Sequence, residues 1–247
     1  AGRHRAVFVS SMQTLIENVS IAKDVYRMRV AGVPQGAPGQ FFMLRAAAGL
    51  EPFLSRPISI CDAAETETTF VYRVVGRGTA LLSSLRAHDA LEVGLPLGNG
   101  FPLCAGRAVL LGGGLGVAPL LYLARRLTQI GAYTCVYAGY SGEPFLCGEY
   151  EAVASAFFPQ QAGFITDAVD FSLDATYYAC GPMPMLRAAA KKAKEAGARL
   201  YVSVESRMAC GTGACLGCTI PTAHGNRRVC KDGPVFDAKE LFFEDSL

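Results

Sequence analysis

Between residues 3 and 103 the apolar positions gather into short runs, AVFVS, VYRMRV, GQFFMLRA, RPISI, TTFVYRVVG and ALEVGLPL, set apart by Gly, Pro and polar clusters. Short β-type runs with that punctuation predict an antiparallel barrel. One helical insertion is expected at 79–87, with Thr79 as its N-cap and Ala80, Leu81, Leu82 and Leu85 as its apolar face. From Arg107 the period changes. A run AVLL leads into GGGLG and a helix-like VAPLLYLARRLTQIG ending at Gly131. The segments YTCVYAGY, EYEAVASAF, TYYACG, PMLRAAAKKAKEAG and LYVSVES follow. Strands alternating with helical segments of this length predict parallel βαβ units in an open, doubly wound α/β sheet. After Ser206 there is little regular patterning before the tail DAKELFFEDSL, and the region is too small to form a core alone. Pattern breaks at 98–106 and 205–208 divide the chain into a β-barrel domain at 1–103, an α/β domain at 104–205 and a small C-terminal domain at 206–247.

The composition narrows the classes of function. Hydrophobic residues make up 51% and charged residues 18% of 247 positions, below the usual charged share of about 25%, so a packed globular chain is expected. The net charge of +2 offers no large attraction for phosphate backbones or anionic membranes, and no nucleic acid or membrane partner is expected. Mean hydropathy is positive, at +0.27. The longest uncharged stretch, AVLLGGGLGVAPLLYLA at 108–124, falls short of the roughly 20 apolar residues of a span and contains glycines and a proline. The N-terminal stretch has basic residues without an apolar region behind them, so a cytoplasmic location is the expectation.

Nine cysteines do not form a disulfide framework. Cys61, Cys104, Cys135 and Cys147 stand singly and read as small buried hydrophobes. Cys210, Cys215, Cys218 and Cys230 crowd together as C-x4-C-x2-C-x11-C, with Gly211, Gly213 and Gly217 interleaved. Thiolates converging on one inorganic cluster need a tightly wrapping backbone, which glycine permits, and x4, x2 is the plant-type [2Fe-2S] order. The fourth cysteine lies closer than is usual for that type, and a zinc site is the alternative; a zinc ribbon, however, would show a second cysteine knuckle.

Gly113, Gly114 and Gly116 follow a strand and precede a helix, a context in which glycines let the main chain approach a pyrophosphate at a helix N-terminus. A plain tight turn is the alternative. In Arg56-Pro57-Ile58-Ser59 a rigidly held guanidinium can pair with phosphate, and Gly78 and Thr79 open a short helix with unsatisfied N–H groups. Both would suit a second nucleotide; a surface Arg and an ordinary capped helix would also explain them. Cys180, Gly181 and Pro182 end the strand TYYAC, where ligands bind beyond the carboxyl ends of parallel strands. His4, His88 and His224 lie outside every motif, and no catalytic side chain is singled out.

In this order the segments resemble the ferredoxin reductase-type superfamily. The run SRMACGTGACLGCTIP, followed by RRVCKDGPVFDAKELFF, is similar to the electron-transfer subunits of class 1B dihydroorotate dehydrogenase, and the resemblance spans essentially the whole chain. It implies FAD in the first domain, NAD in the second and a [2Fe-2S] cluster on the four cysteines of the last. It places Arg56, Pro57, Ile58 and Ser59 at the flavin, Arg73, Val74 and Val75 beside it, and Gly78 and Thr79 at its pyrophosphate. Ile58 stands where many reductases of the superfamily carry an aromatic residue. The resemblance further implies a separate FMN-containing subunit that oxidises dihydroorotate in pyrimidine biosynthesis, in a heterotetramer of two of each. Electrons would pass through the cluster and FAD to NAD+, the flavin standing between a two-electron and a one-electron carrier. The docking surface is expected at 208–219. Two alternatives stay open: a related reductase subunit serving another acceptor, of sulfide dehydrogenase or hydrogenase type, and a zinc-stabilised nucleotide-binding module without redox activity. Glu143, in a segment with no Arg to meet a 2'-phosphate, predicts NADH over NADPH.

Overall fold

The structure, a computed structural model, describes residues 10–46 and 53–242. Its first part contains β1 (Ser11–Ala22), β2 (Val25–Ala31), β3 (Phe41–Ala46), β4 (Arg56–Ala63), β5 (Glu67–Arg73), α1 (Arg77–Ser84) and β6 (Ala90–Val93). The six strands close into an antiparallel barrel in the order β1-β2-β5-β4-β3-β6. Leu15, Met28, Phe42, Leu44, Ile60 and Phe70 fill its interior.

The barrel agrees with the sequence reading, but two details differ. Of the run AVFVS only Ser10 is among the described residues, and the first strand lies further on, at Ser11–Ala22. That strand is hidden in the pattern because only Leu15 and Ala22 are buried, while Ile16 and Val19 face outward among polar neighbours. The helix begins at Arg77 with Gly76 as N-cap, and Thr79 sits at its third position. Thr79 Oγ1 accepts from the amides of Val75 at 2.9 Å and Gly76 at 3.2 Å, so it closes the turn from inside the helix.

The second part runs β7 (Arg107–Gly113), a single 3-10 turn, α2 (Val117–Gln129), β8 (Tyr133–Gly139), α3 (Cys147–Val153) and β9 (Ala156–Gln160). It continues with α4 (Ile165–Ala168), β10 (Thr176–Cys180), α5 (Met183–Ala196) and β11 (Arg199–Ser203). After it come β12 (Thr219–Thr222), β13 (Gly225–Arg228), α6 (Val229–Asp232) and β14 (Val235–Asp237). The sheet order is β14-β11-β10-β7-β8-β9, parallel except for β14, with helices on both faces. The C-terminal segment is thus more regular than its pattern suggests, and β14 joins it to the α/β sheet.

Helix α2 is apolar nearly all round from Val117 to Ala124 because it packs against the sheet on one side and β4 of the barrel on the other. Barrel residues Cys61 and Val71 therefore share one core with Leu110, Leu120 and Val136. The connection between the two parts is pinned by Phe101, edge-on to Tyr178 at 5.8 Å, and by Asn99, bonded to both polar groups of the Val235 backbone. Of the single cysteines only Cys61 is fully buried as expected. Cys104 lies in that irregular connection, Cys135 faces the side of β8 covered by the four-residue α4, and Cys147 opens α3, so these three are half-buried. Among the described residues no helix is long and apolar enough to cross a membrane.

Candidate functional site

A cavity of about 350 Å³ opens where the barrel, the carboxyl end of the sheet and the C-terminal segment meet. On the barrel side Arg56, Pro57, Ile58 and Ser59 of β4 line it, together with Arg73, Val75 and Thr79. The Arg56 guanidinium lies directly over Gly78, where a Cβ would stand 2.2 Å from Nε, so glycine is required for that approach. Val74 packs instead toward the barrel core and does not line the cavity.

Of the second nucleotide site, Cys180 reaches this cavity together with Leu115 of the glycine-rich loop and Ala118 and Pro119 of α2, whereas Gly113, Gly114, Gly116, Gly181 and Pro182 do not line it. Gly113, Gly116, Gly181 and Pro182 are brought together, against one another and against Met185 of α5. A Cβ on Gly116 would stand 2.1 Å from the Cys180 carbonyl oxygen, one on Gly181 would stand 3.0 Å from Gly113 Cα, and one on Gly113 would stand 3.0 Å from Pro182 Cδ. These glycines let the loop after β7 nest against the turn after β10. Gly114 differs: its φ is +54° and a Cβ would meet nothing within 4 Å, so this glycine faces open space.

Sequence reasoning missed the third wall, formed by Ser203, Val204, Glu205 and Met208. The signal was available, since β11 is the parallel neighbour of β10 and Cys180 stands opposite Ser203, so the strand-end rule applied to Cys180 reaches Ser203 and Glu205 as well. Burial raises the Glu205 carboxyl above its ordinary range. Burial first, and then the Glu205 charge, push the Cys180 thiol up to about 12, against a hydrogen bond with Ser203. Cys180 is therefore a neutral thiol at physiological pH.

Two residues beyond Met208 the cysteine segment begins. Gly211 and Gly213 take φ of +69° and +80°, and Leu216 is also left-handed at +61°, which curls the loop around its sulfurs. The Cys215 amide donates to Cys210 Sγ at 3.4 Å and the Cys230 amide to Cys218 Sγ at 3.4 Å, joining the thiols in two pairs. Burial opposes ionisation of Cys210, but bonds from the Cys215 and Thr212 backbone and the Thr212 hydroxyl prevail and bring it to about 6. Cys230, enclosed and facing the Cys218 thiol, is pushed up to about 12. Among the described residues no three His, Cys, Asp or Glu side chains close around a single ion. Two thiol pairs with amides turned toward sulfur fit a dinuclear cluster, which needs two thiolates on each iron. Cys215 and Leu216 are exposed, the latter at 61%, while Cys218 and Cys230 are buried.

Residues 205–242 match the family of the iron-sulfur cluster binding domain of dihydroorotate dehydrogenase B. Over 246 residues the chain is 37% identical to the dihydroorotate dehydrogenase B (NAD(+)) electron transfer subunit of Clostridium acetobutylicum, covering 95% of this chain and 98% of that protein. The subunit of the same name from Bacillus caldolyticus is 39% identical, over 90% of this chain and 94% of the other. The chain belongs to the family of dihydroorotate dehydrogenase B electron transfer subunits. Among solved structures this family member is similar to a chain of the NADH-dependent reduced ferredoxin-NADP oxidoreductase, with a TM-score of 0.85 and 26% identity over 96% of this chain and 92% of that one. Phthalate dioxygenase reductase shares the fold, with a TM-score of 0.64 and 18% identity over 83% of this chain and 70% of that one.

Proposed function

We propose that the chain carries electrons from a dihydroorotate-oxidising, FMN-containing subunit to NAD+ through a [2Fe-2S] cluster and FAD, in pyrimidine biosynthesis. The observation that carries this reading is the contiguity of the two sites: Met208 forms part of the cavity wall and Cys210 follows two residues later. Cys210, Cys215, Cys218 and Cys230 hold the cluster. Arg56, Ser59 and Arg73 hold FAD against the barrel, with Thr79 keeping the turn before α1 in place for its pyrophosphate. Gly114 offers the open backbone for NAD, while Gly113, Gly116, Gly181 and Pro182 shape the loop behind it. Bound FAD supplies the exchange between paired electrons at NAD and single electrons at the cluster. The side chains around the cavity give it two cationic groups, a neutral thiol and a carboxyl whose ionisation is held back by burial.

FAD belongs to 1–103, NAD to 104–205 and the cluster to 206–247, the last anchored through β14. The exposure of Cys215 and Leu216 supports a docking face for the FMN subunit at 208–219, in an assembly of two copies of each chain. Nine free cysteines suit the reducing cytoplasm. Glu143, with no neighbouring Arg in its loop, favours NADH; comparable kcat/KM for NADPH in a dye-reduction assay contradicts that preference. The absorption spectrum of the purified chain tests the cofactor assignment: flavin and iron-sulfur bands should both be present and both bleach when NADH is added without oxygen. A spectrum lacking either set of bands after reconstitution overturns the reading.

A further inference from the structure

Asn99 stands in the connection between barrel and sheet, and its side chain and backbone both reach the corner at 232–235. Oδ1 accepts from the Val235 amide at 2.9 Å, while Nδ2 donates to the carbonyls of Val235 at 2.8 Å and Asp232 at 3.3 Å. The Asn99 amide adds a bond to the Gly233 carbonyl at 2.6 Å. A carboxamide offers an acceptor and two donors in one plane, and the corner uses both kinds. That corner joins two things. On one side it ends α6, which carries Cys230. On the other, Pro234 lines the cavity, and its carbonyl accepts from the amide of Val204, a further cavity residue, at 2.9 Å. The connection fits closely against it: a Cβ on Gly98 would stand 2.6 Å from Pro234 Cδ and 2.7 Å from the Gly233 carbonyl oxygen. At its other end the cysteine segment leans on the barrel side through apolar contact, Gly211 lying beside Met43 and Leu97.

We propose that Asn99 is a positioning residue for electron transfer: by fixing the 232–235 corner it sets the separation between the cluster held by Cys230 and the flavin held in the cavity. The inference rests on the assignment of FAD to the cavity and of a [2Fe-2S] cluster to the four cysteines. Transfer of a single electron needs no side chain to react, but its rate falls steeply as the gap between the carriers widens, so placement is what the protein supplies. NADH delivers a hydride to the flavin, and one electron of that pair passes on to the oxidised cluster. Apolar contacts such as those of Gly211 bury the segment without fixing its angle. The bonds of Asn99 are directional and do fix it. Without its side chain the corner keeps the backbone bond to Gly233 and the pairing of Val235 with Ser203, and the end of α6 is free to shift.

Two variants separate placement from mere support. Asn99→Ala removes every side-chain bond to the corner, whereas Asn99→Asp keeps an acceptor for the Val235 amide and loses the donors. Each is purified with its cofactors and its FAD and iron are quantified. NADH is then added without oxygen, and flavin and cluster bleaching are followed separately by stopped flow, the cluster rate being taken per loaded cluster. The flavin step should match wild type in both variants. The cluster step is expected to slow by roughly tenfold in Asn99→Ala, the scale of loss for a sub-ångström misplacement of reacting groups, and by less in Asn99→Asp. Hydrogen exchange at the Val235 amide supplies a readout independent of turnover. It should quicken by roughly fivefold in Asn99→Ala, the loss of one hydrogen bond, and stay near wild type in Asn99→Asp. Unchanged cluster rates, slowing of both steps together, or unchanged Val235 exchange in Asn99→Ala overturns the proposal. Variants that purify without iron overturn it too, since Asn99 then secures retention of the cluster rather than its placement. A wild-type chain that lacks FAD or the cluster, or whose cluster NADH does not bleach, refutes the underlying assignment instead.

Discussion

At Gly116 a Cβ would overlap the Cys180 carbonyl, backbone against backbone, so neither partner can move aside cheaply. Gly116→Ala is expected to cost about 1–3 kcal/mol of stability, the range for overpacking, measured as a lower Tm; an unchanged Tm contradicts the packing role. The sequence made these glycines visible and could not divide them. Gly116 is needed for packing, Gly114 faces open space, and both are single letters in one motif. The four cysteines were legible because thiolate spacing is itself chemistry, and Cys230→Ser is expected to remove most of the cluster's visible absorption while leaving FAD bound. A retained cluster spectrum contradicts the ligand assignment. The strand-end rule reaches the position of Glu205, but its burial was illegible because the cavity around it is made by three distant segments. Its carboxyl is raised by burial, so the folded chain keeps its proton above the ordinary value of 4.5, and the stability it contributes is lost as pH rises through the raised value. Relative to wild type, Glu205→Gln is expected to gain stability as pH rises above the ordinary carboxyl value; parallel pH curves in urea unfolding contradict this.

The elements read most clearly were those with a strong period. Helix α5 buries Leu186, Ala189 and Ala193 on one face and ends at Gly197 in the left-handed region, as a helix stop signal requires. The C-terminal elements escaped because β12 and β13 are four residues each and β14 three, too short for alternation to register. Yet β14 anchors the cysteine segment. Val235 and Phe236 are buried, and Ser203 of β11 pairs with Val235. Phe236→Ala is expected to lower stability by about 3 kcal/mol and to reduce cluster retention along with it. Urea unfolding followed by tyrosine fluorescence and by cluster absorbance checks both; two separate transitions would mean that the segment folds independently of the sheet.

Across the whole molecule, the division into barrel, sheet and cysteine segment was legible in order, and their shared interior was not. Ion pairs cross the boundary between barrel and sheet, Arg125 with Asp62 at 2.8 Å and Arg27 with Glu149 at 3.1 Å, but partly exposed pairs contribute only about 0–1 kcal/mol each. The common core around α2 fixes the arrangement, and with it the position of the cavity beside the cysteines. Such a layout serves a chain that relays electrons and leaves the oxidation of dihydroorotate to its partner. That division of labour is tested by adding dihydroorotate and NAD+ to the purified chain, alone and with the proposed FMN-containing subunit, and following NADH at 340 nm. Sustained NADH formation is expected only when both chains are present. Turnover by this chain alone, or none by the reconstituted pair, would contradict it.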